Sequence, residues 1–265
     1  MARQVSAAER GSIRIGCAGW SVRGGQSHLF GEADSHLARY ATCFDAVEIN
    51  SSFYRPHQQK TYARWAQSVP SHFRFSVKLP KAITHNSRLI AADEAIARFS
   101  DEIAGLGEKL GCVLVQLPPS LKFDAEIAET FFGALRQWTA APVACEPRHL
   151  SWFSSDVDRL WSSYLVTRVA ADPARCPDAF RVDGAGPLRY WRWHGSPRTY
   201  FSEYDDAALK ELAAQLHLHA GEGRAAWCIF DNTALGHATT DAIRLLELCG
   251  AGADVSPLRD PGRKR

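Results

Sequence analysis

The sequence predicts a single α/β domain, a (β/α)8 barrel of the TIM-like kind that is irregular around its sixth unit. Three observations predict it. Eight short apolar runs recur about every thirty residues, the size of one βαβ unit. Amphipathic helical patterns fill most of the gaps between them. The chain has 265 residues, close to the roughly 250 typical of such a barrel. A doubly wound open sheet is the alternative arrangement of the same elements.

Taken in order, the first run is Ile13–Gly16 and the second Ala46–Ile49, followed by a helix with Tyr62, Trp65 and Val69 on one face. Phe73–Val77 is the third, and Asp93–Leu110 then reads as a helix burying Ile96, Phe99, Ile103 and Leu106. After Val113–Val115, Asp124 is a candidate N-cap for a helix burying Ile127, Phe131 and Leu135. Val143–Cys145 precedes a face of Leu160, Trp161 and Tyr164. Val166–Ala170 is the sixth run. Residues 172–188 after it are too rich in Pro and Gly for a standard helix and read as a loop across the barrel mouth. Arg189–Trp193 leads to a helix with Leu209, Leu212 and Leu216. Ala226–Phe230 is the eighth run, and a last helix from about Leu235 carries Ile243, Leu246 and Cys249 before Gly250 ends it. One domain therefore spans 12–251, with a polar arm at 1–11 and a loose basic tail at 252–265.

Composition narrows the class. With 46% hydrophobic residues the chain can bury a full core, and a net charge of +2 creates no field drawing it to nucleic acid or membrane. Seven cysteines form no CxxC pair, and Cys112, Cys145 and Cys228 lie inside strand runs. Reduced buried thiols and a reducing compartment fit that pattern better than a disulfide framework. The arm lacks an apolar signal core, and no run approaches the ~18 apolar residues of a membrane span. The expectation is a soluble cytoplasmic protein.

Alternation within the runs points to a site. Glu48 and Asn50 oppose Val47 and Ile49; Arg74, Ser76 and Lys78 oppose Phe73, Phe75 and Val77; Tyr190, Arg192 and His194 oppose Trp191 and Trp193. Most runs end on a group able to donate, accept or move a proton: Glu48, Asn50, Lys78, Gln116, Glu146, Asp172, His194 and Asp231. Such groups are costly to bury unless they pair, and Glu48, Lys78, Glu146 and Arg192 balance two negative against two positive charges. They form either a stabilising network or a reactive rim. As a site, Glu48 and Glu146 would supply acid and base, given a raised pKa from partial burial. Paired to Lys78 or Arg192, Glu48 would instead be a structural anion. Lys78 suits contact with an anionic substrate or phosphate, or a base if desolvated; a Schiff base is chemically possible, but nothing in the sequence singles it out.

His194, before the permissive Gly195, and Asp231 would orient. His149 is either a loop histidine or a further acid–base group. Trp20, Tyr54 and Trp152 would form apolar walls, and Asn50, Gln116, Arg148 and Arg192 polar contacts. Asn232 and Thr233 run into a helix N-terminus that suits an anion, or else Asp231 or Thr233 caps that helix. The Gly24–Gly25 pair reads as a flexible loop over the mouth.

No cofactor is expected. A divalent metal is the alternative, held by Glu146, Asp172, His194 and Asp231, although HExxH and paired CxxC motifs are absent and Lys78 and Arg148 would oppose a cation. The leading expectation is metal-independent acid–base chemistry on a small polar, anionic or hydroxylated substrate. A metal-dependent phosphodiester hydrolase or sugar isomerase is the second reading. A non-catalytic ligand- or nucleic-acid-binding barrel, using aromatics and scattered basic residues, is the third.

Seven segments also occur in register along nearly the whole chain: IGCAGW (15–20), VEINSSFY (47–54), SVKLPKAITH (76–85), VLVQLPPS (113–120), CEPRHLSW (145–152), RWHG (192–195) and FDNTALGHA (230–238). Together they resemble the YecE-like family, labelled domain of unknown function seventy-two. The resemblance implies a TIM-barrel fold and implies no reaction.

Overall fold

Period-two alternation sorts each strand's side chains into two separate cores. The computed structural model describes residues 11–250; the arm before Gly11 and the tail 252–265 lie outside the described residues. Among the described residues ten strands form: β1 (Ile13–Cys17), β2 (Ala46–Ile49), β3 (Arg74–Lys78), β4 (Leu110–Gln116), β5 (Val143–Glu146), β6 (Val166–Arg168), β7 (Ala170–Asp172), β8 (Asp183–Gly184), β9 (Leu188–Trp193) and β10 (Ala225–Phe230). Ile15, Val47, Phe75, Val113, Cys145 and Phe230 join the larger core against the helices. Their alternate neighbours Ala46, Cys112, Leu114, Ala144, Tyr190, Trp227 and Ile229 make a second core among the strands. The same alternation carries that inner set on to Glu48, Gln116, Glu146, Arg192 and Asp231, so the candidate site caps the inner core.

The strands lie in two sheets, ordered β1-β10-β9-β7 and β2-β3-β4-β5-β6-β8. Every pair is parallel except β6 with β8. Where one ring of eight strands was expected, the pairing breaks in two places, each with a local cause. The sixth run is one extended stretch that changes partner: Val166–Arg168 pair with β5 and Ala170–Asp172 with β9. Val169 between them donates its N–H to the Cys145 carbonyl at 2.8 Å. At the other break, β1 and β2 share only the Ala18–Glu48 bridge. The buried Tyr40 hydroxyl stands between them, accepting from Cys17 N–H at 2.8 Å and donating to the Ala46 carbonyl at 2.9 Å. Gly16 makes room for that arrangement, because a Cβ there would lie 2.0 Å from the Ala46 carbonyl oxygen.

Eight α-helices among the described residues surround the strands: α1 (His36–Tyr40), α2 (Ser51–Tyr54), α3 (Gln59–Gln67), α4 (Asp93–Ile103), α5 (Ala125–Trp138), α6 (Ser155–Ser163), α7 (Asp206–Gly221) and α8 (His237–Cys249). Asp124 caps α5, its Oδ1 accepting from Ile127 N–H at 3.1 Å. Gly250, at φ 65°, ends α8. The expected helix Asp93–Leu110 stops at Ile103: a 3₁₀ segment follows, Gly107 takes φ 53° inside it, and Leu110 opens β4. Neither Asp231 nor Thr233 caps α8, which starts behind Gly236 with no side-chain cap.

Residues 172–188 are more ordered than a loop across a mouth. They form a 3₁₀ turn at Pro177–Phe180 and then β8, antiparallel to β6. The Gly24–Gly25 segment is likewise a 3₁₀ turn, Gly24–Leu29, tied to the β10–α8 loop by Arg23 on the Ala234 carbonyl and Gln26 on the Gly236 carbonyl. All seven cysteines are unpaired. Among the described residues no helix is long and apolar enough to cross a membrane.

Tyr40→Phe keeps the ring and removes the hydroxyl, leaving the buried Cys17 N–H and Ala46 carbonyl without a partner. Urea unfolding should show a loss of about 1–3 kcal/mol with an unchanged far-UV circular dichroism spectrum.

Candidate active site

Arg192 is fully buried at the penultimate position of β9, where an unpaired guanidinium would be prohibitively costly. Its Nε and Nη2 donate to Glu48 Oε2 and Oε1 at 2.9 and 2.8 Å, the bidentate geometry its planar fork favours. Nη1 donates to Glu146 Oε2 at 2.5 Å and Nη2 also to Asp231 Oδ2 at 3.1 Å. Burial works against the charge, but the three carboxylates overcome it and hold Arg192 well above its ordinary value. Tyr190, two residues earlier on the same face, places its hydroxyl 3.0 Å from Glu48 Oε2 and 2.8 Å from Ser76 Oγ.

His194 continues that face beyond the strand end. Its Nδ1 lies 3.0 Å from Asp231 Oδ2 and its Nε2 3.3 Å from Glu146 Oε1. Burial opposes its protonation, yet Glu146 and the hydrogen bonds to both carboxylates raise its pKa. Glu146 takes a further bond from Arg148 Nε at 2.7 Å. Although burial favours its neutral form, Arg148, Arg192 and His194 hold it well below the usual carboxylate range. Asp231 is lowered in the same way, burial being outweighed by Arg192 and His194. Gly195, at φ 95°, turns the chain directly after His194, and a Cβ there would lie 2.8 Å from the Ser202 carbonyl oxygen.

Three donors in the neighbourhood remain open. Lys78 ends β3, 7% exposed, with Nζ 4.0 Å from the centre of the Phe53 ring. Among the described residues its ammonium makes no hydrogen bond and no ion pair, and it is not sealed from solvent. Burial and then the Arg192 cation push its pKa down to about 8, against the pull of Glu48, Glu146 and Asp231. Gln116, buried at the end of β4 and in register with Glu146, has a side-chain amide with no partner among the described residues. Among the described residues Arg148 uses only Nε, on Glu146, and leaves both Nη groups free. A cleft of about 190 Å³ opens beside Glu146, Arg148 and His194, walled by Pro173, Arg175 and Thr199. His85, half-buried and 2.8 Å from Thr84 Oγ1 through Nδ1, is lowered to about 4 by burial and by Lys78, Arg148 and Lys81. It is therefore a neutral imidazole near neutral pH.

The structure thus brings together Glu48, Lys78, Glu146, Arg148, Arg192, His194 and Asp231, with Gln116 beside them. Glu48 and Glu146, expected as acid and base, both bond to the Arg192 guanidinium, and for Glu146 that pairing outweighs burial and holds its carboxyl below the usual range. Trp152 is no wall: it is 1% exposed, donates Nε1 to the Leu121 carbonyl at 2.9 Å and stacks on Trp161. Asn232 is also internal, its Nδ2 donating to Ser202 O and Asp241 Oδ2 at 2.8 and 2.7 Å. Trp20 packs edge-on against Trp65 in the partly buried margin of the core. Tyr54 is 79% exposed, and Thr233 is exposed. Asn50 is half-buried, with its Oδ1 enclosed and unpartnered. His149 caps the 3₁₀ turn Leu150–Trp152, its Nδ1 accepting from Ser151 N–H at 3.1 Å.

The metal alternative fits poorly. Glu146, His194 and Asp231 do converge, but on the guanidinium of Arg192, and Asp172 Oδ1 accepts the Tyr204 hydroxyl at 2.8 Å. Among the described residues no group of three or more His, Cys, Asp or Glu is arranged to hold a metal ion.

The family model described as "Protein of unknown function DUF72" matches residues 14–264. The chain belongs to the DUF72 family. It is similar to the UPF0759 protein YunF of Bacillus subtilis (strain 168), 22% identical over 266 residues that cover 89% of this chain and 94% of that protein. A stretch of 82 residues is 30% identical to the UPF0759 protein YecE of Escherichia coli (strain K12), 31% of this chain and 30% of that one. Among solved structures, a DUF72 family protein from Enterococcus faecalis V583 superposes with a TM-score of 0.76 at 22% identity, covering 90% of this chain and 95% of that chain. Another from Thermotoga maritima MSB8 gives 0.75 at 22% identity, covering 90% and 99%. The fold is therefore a DUF72 fold, a mixed α/β architecture with parallel sheets.

Within this DUF72 chain, sequence reasoning missed Tyr190, Ser76 and His85. Tyr190 and Ser76 carried the right signal, since both share the inward phase of Arg192 and Lys78. His85 carried none: it sits in a π-helical turn, Ala82–Asn86, whose extra residue per turn no periodicity announces.

The shifted groups set a pH profile for stability. Glu146 and Asp231 contribute above the ordinary carboxylate range near 4 and lose that contribution as pH falls through their lowered values. His194, raised, contributes fully below about pH 6.5 and loses it as pH climbs through its higher folded value. The advantage of wild type over His194→Asn in urea midpoint should therefore be greatest just below about pH 6.5 and shrink above it. A constant advantage across that range contradicts the charged-imidazole assignment.

Proposed function

We propose that this DUF72 protein is an enzyme that performs acid–base chemistry on a small anionic substrate at the C-terminal ends of its parallel strands. The reading includes closure of the two sheets into one (β/α)8 barrel. Two features favour closure: the continuous stretch that changes partner at Val169, and the Ala18–Glu48 bridge. Barrels of that kind place their chemistry at this rim.

One observation carries the functional reading. Beside a cluster whose other charges are paired, Lys78 stands 7% exposed with no hydrogen bond or ion pair among the described residues. A buried unpaired cation lowers stability, and groups kept at such a cost are the usual signature of a binding or reacting site. Arg148 Nη1 and Nη2 and the Gln116 amide add open donors nearby. Three carboxylates against Arg192, Arg148 and Lys78 balance, and a protonated His194 tips the centre positive. An anion is the ligand that such a centre attracts.

Lys78, at about 8, is close enough to neutrality to accept a proton. His194, held between two carboxylates, is the matching proton donor. Proton abstraction from, or delivery to, a bound anion is the chemistry these groups share. It needs no metal, because Lys78 and Arg148 supply the positive charge.

Lys78→Met separates the binding reading from a structural role. The variant should gain stability of the order of 1 kcal/mol at pH 7 by removing an unpaired buried charge. Wild type should show a rise in Tm with millimolar phosphate or malonate over chloride of equal ionic strength, and the variant should lose it. A destabilised variant that keeps the anion-dependent rise would overturn the proposal.

A further inference from the structure

The geometry points to Lys78 as an imine-forming amine, and to a substrate that joins a reactive carbonyl to an anionic group. This rests on the anionic-substrate reading above and gives Lys78 a covalent role in place of, or before, simple proton transfer.

The first argument is positional. Lys78 is the last residue of β3, its backbone fixed by the Ser52 hydroxyl on its carbonyl at 2.7 Å and by Leu79 N–H on the Leu114 carbonyl at 2.9 Å. The nitrogen therefore starts from a rigid strand end and not from a mobile loop. The second argument is occupancy. An ion-paired lysine has its lone pair tied up by a proton that its partner stabilises. Lys78 has no such partner among the described residues, while the carboxylates that would pair with it are bound to Arg192 instead. Its Nζ lies over the face of Phe53, 4.0 Å from the ring centre. A ring face tolerates either the cation or the neutral amine and places no donor or acceptor in the path of an incoming carbonyl. The neighbouring Arg192 cation is the kind of feature that frees a lysine for nucleophilic use.

The third argument concerns the rest of the ligand. Arg148 presents two unused Nη groups at the cleft beside Glu146 and His194, a planar fork suited to a carboxylate or phosphate. His85 lies near enough to both Lys78 and Arg148 for each to depress its protonation, so it stays neutral and does not compete for the anion. Gln116, between β3 and β5, has an amide free to hold an oxygen of the ligand.

The step balances without a further reactant. The neutral Lys78 nitrogen attacks the carbonyl carbon, a C–N bond forms and the C=O π pair moves to oxygen. Both hydrogens of the amine leave with that oxygen as water, and the nitrogen lone pair completes the C=N bond. Nothing is oxidised or reduced.

Sodium borohydride reduces such an imine to a stable secondary amine, so it reports the bond directly. Full-length protein at about pH 8 would be treated with borohydride and pyruvate, 2-oxoglutarate or dihydroxyacetone phosphate, followed by intact mass and peptide mapping. The expected result is an adduct of the probe less one oxygen, concentrated on Lys78 and lost in Lys78→Arg, which keeps the charge. Preference for the oxo acids identifies a carboxylate at Arg148, and preference for the triose phosphate identifies a phosphate. Labelling spread over the exposed Lys60, Lys81, Lys122 and Lys210, undiminished in Lys78→Arg, overturns the inference. So does absence of any adduct; if anions still raise Tm in a Lys78-dependent manner, the acid–base reading survives that failure, and if they do not, both fall.

Discussion

The buried guanidinium of Arg192 is the interaction on which the rest of this molecule turns. It projects from β9 of one sheet and binds Glu48 of β2 and Glu146 of β5 in the other, together with Asp231 just past β10. The inner core beneath it is small and largely apolar, built from Ala46, Cys112, Leu114, Ala144, Val169, Leu188, Tyr190, Trp227 and Ile229, with the Tyr190 hydroxyl joined to Glu48 and Ser76. Burying one cation with three anions is not a source of net stability in itself, since desolvation consumes much of the Coulombic gain. Its value is positional. The bidentate pair with Glu48 spans 144 residues of sequence and fixes how the two sheets face one another at the end where the candidate site lies.

That arrangement also decides what chemistry is open. Glu146 and Asp231, tied to Arg192, are held below the usual carboxylate range, so they are poor proton donors and weak bases. The same pairing withdraws from Lys78 the partners it would otherwise have. In the proposed reading, this division of ion pairs leaves proton transfer to the amine and the imidazole in place of the acids. Arg148, anchored through one nitrogen and open through two, turns the excess of positive charge toward the cleft.

Much of this was legible in the sequence, and what was not has identifiable causes. Alternation in AVEIN, FRFSVK and RYWRWH correctly placed Glu48, Lys78 and Arg192 on one side of their strands, because period two is a local property. Asp124 as a cap and Gly250 as a stop were equally local. Which acid pairs with which base was not legible: Arg192 and Lys78 are equivalent by pattern, and only the sheet geometry hands the carboxylates to the former. Trp152 follows the acidic end of β5 closely enough to look like part of a wall, but the 3₁₀ turn at Leu150–Trp152 swings its indole onto the Leu121 carbonyl. Asn232 follows Asp231 directly and, as the next residue of an extended stretch, faces the other way, toward Asp241 of α8. The split of the sixth run at Val169 depends on partners far away in sequence and leaves no mark in the run itself.

The account stands on Lys78 being an unpaired amine beside a closed set of ion pairs, and its titration is the direct measure of that. Lysine labelled with ¹³C at Cε, with the Lys78 resonance assigned by its loss in Lys78→Arg, can be followed by NMR from neutral to alkaline pH. The account predicts a midpoint of about 8 for Lys78, well below the ordinary lysine value of 10.5. A midpoint for Lys78 at or above 10.5 would mean that a carboxylate holds its proton, and would contradict the division of charge between Arg192 and Lys78.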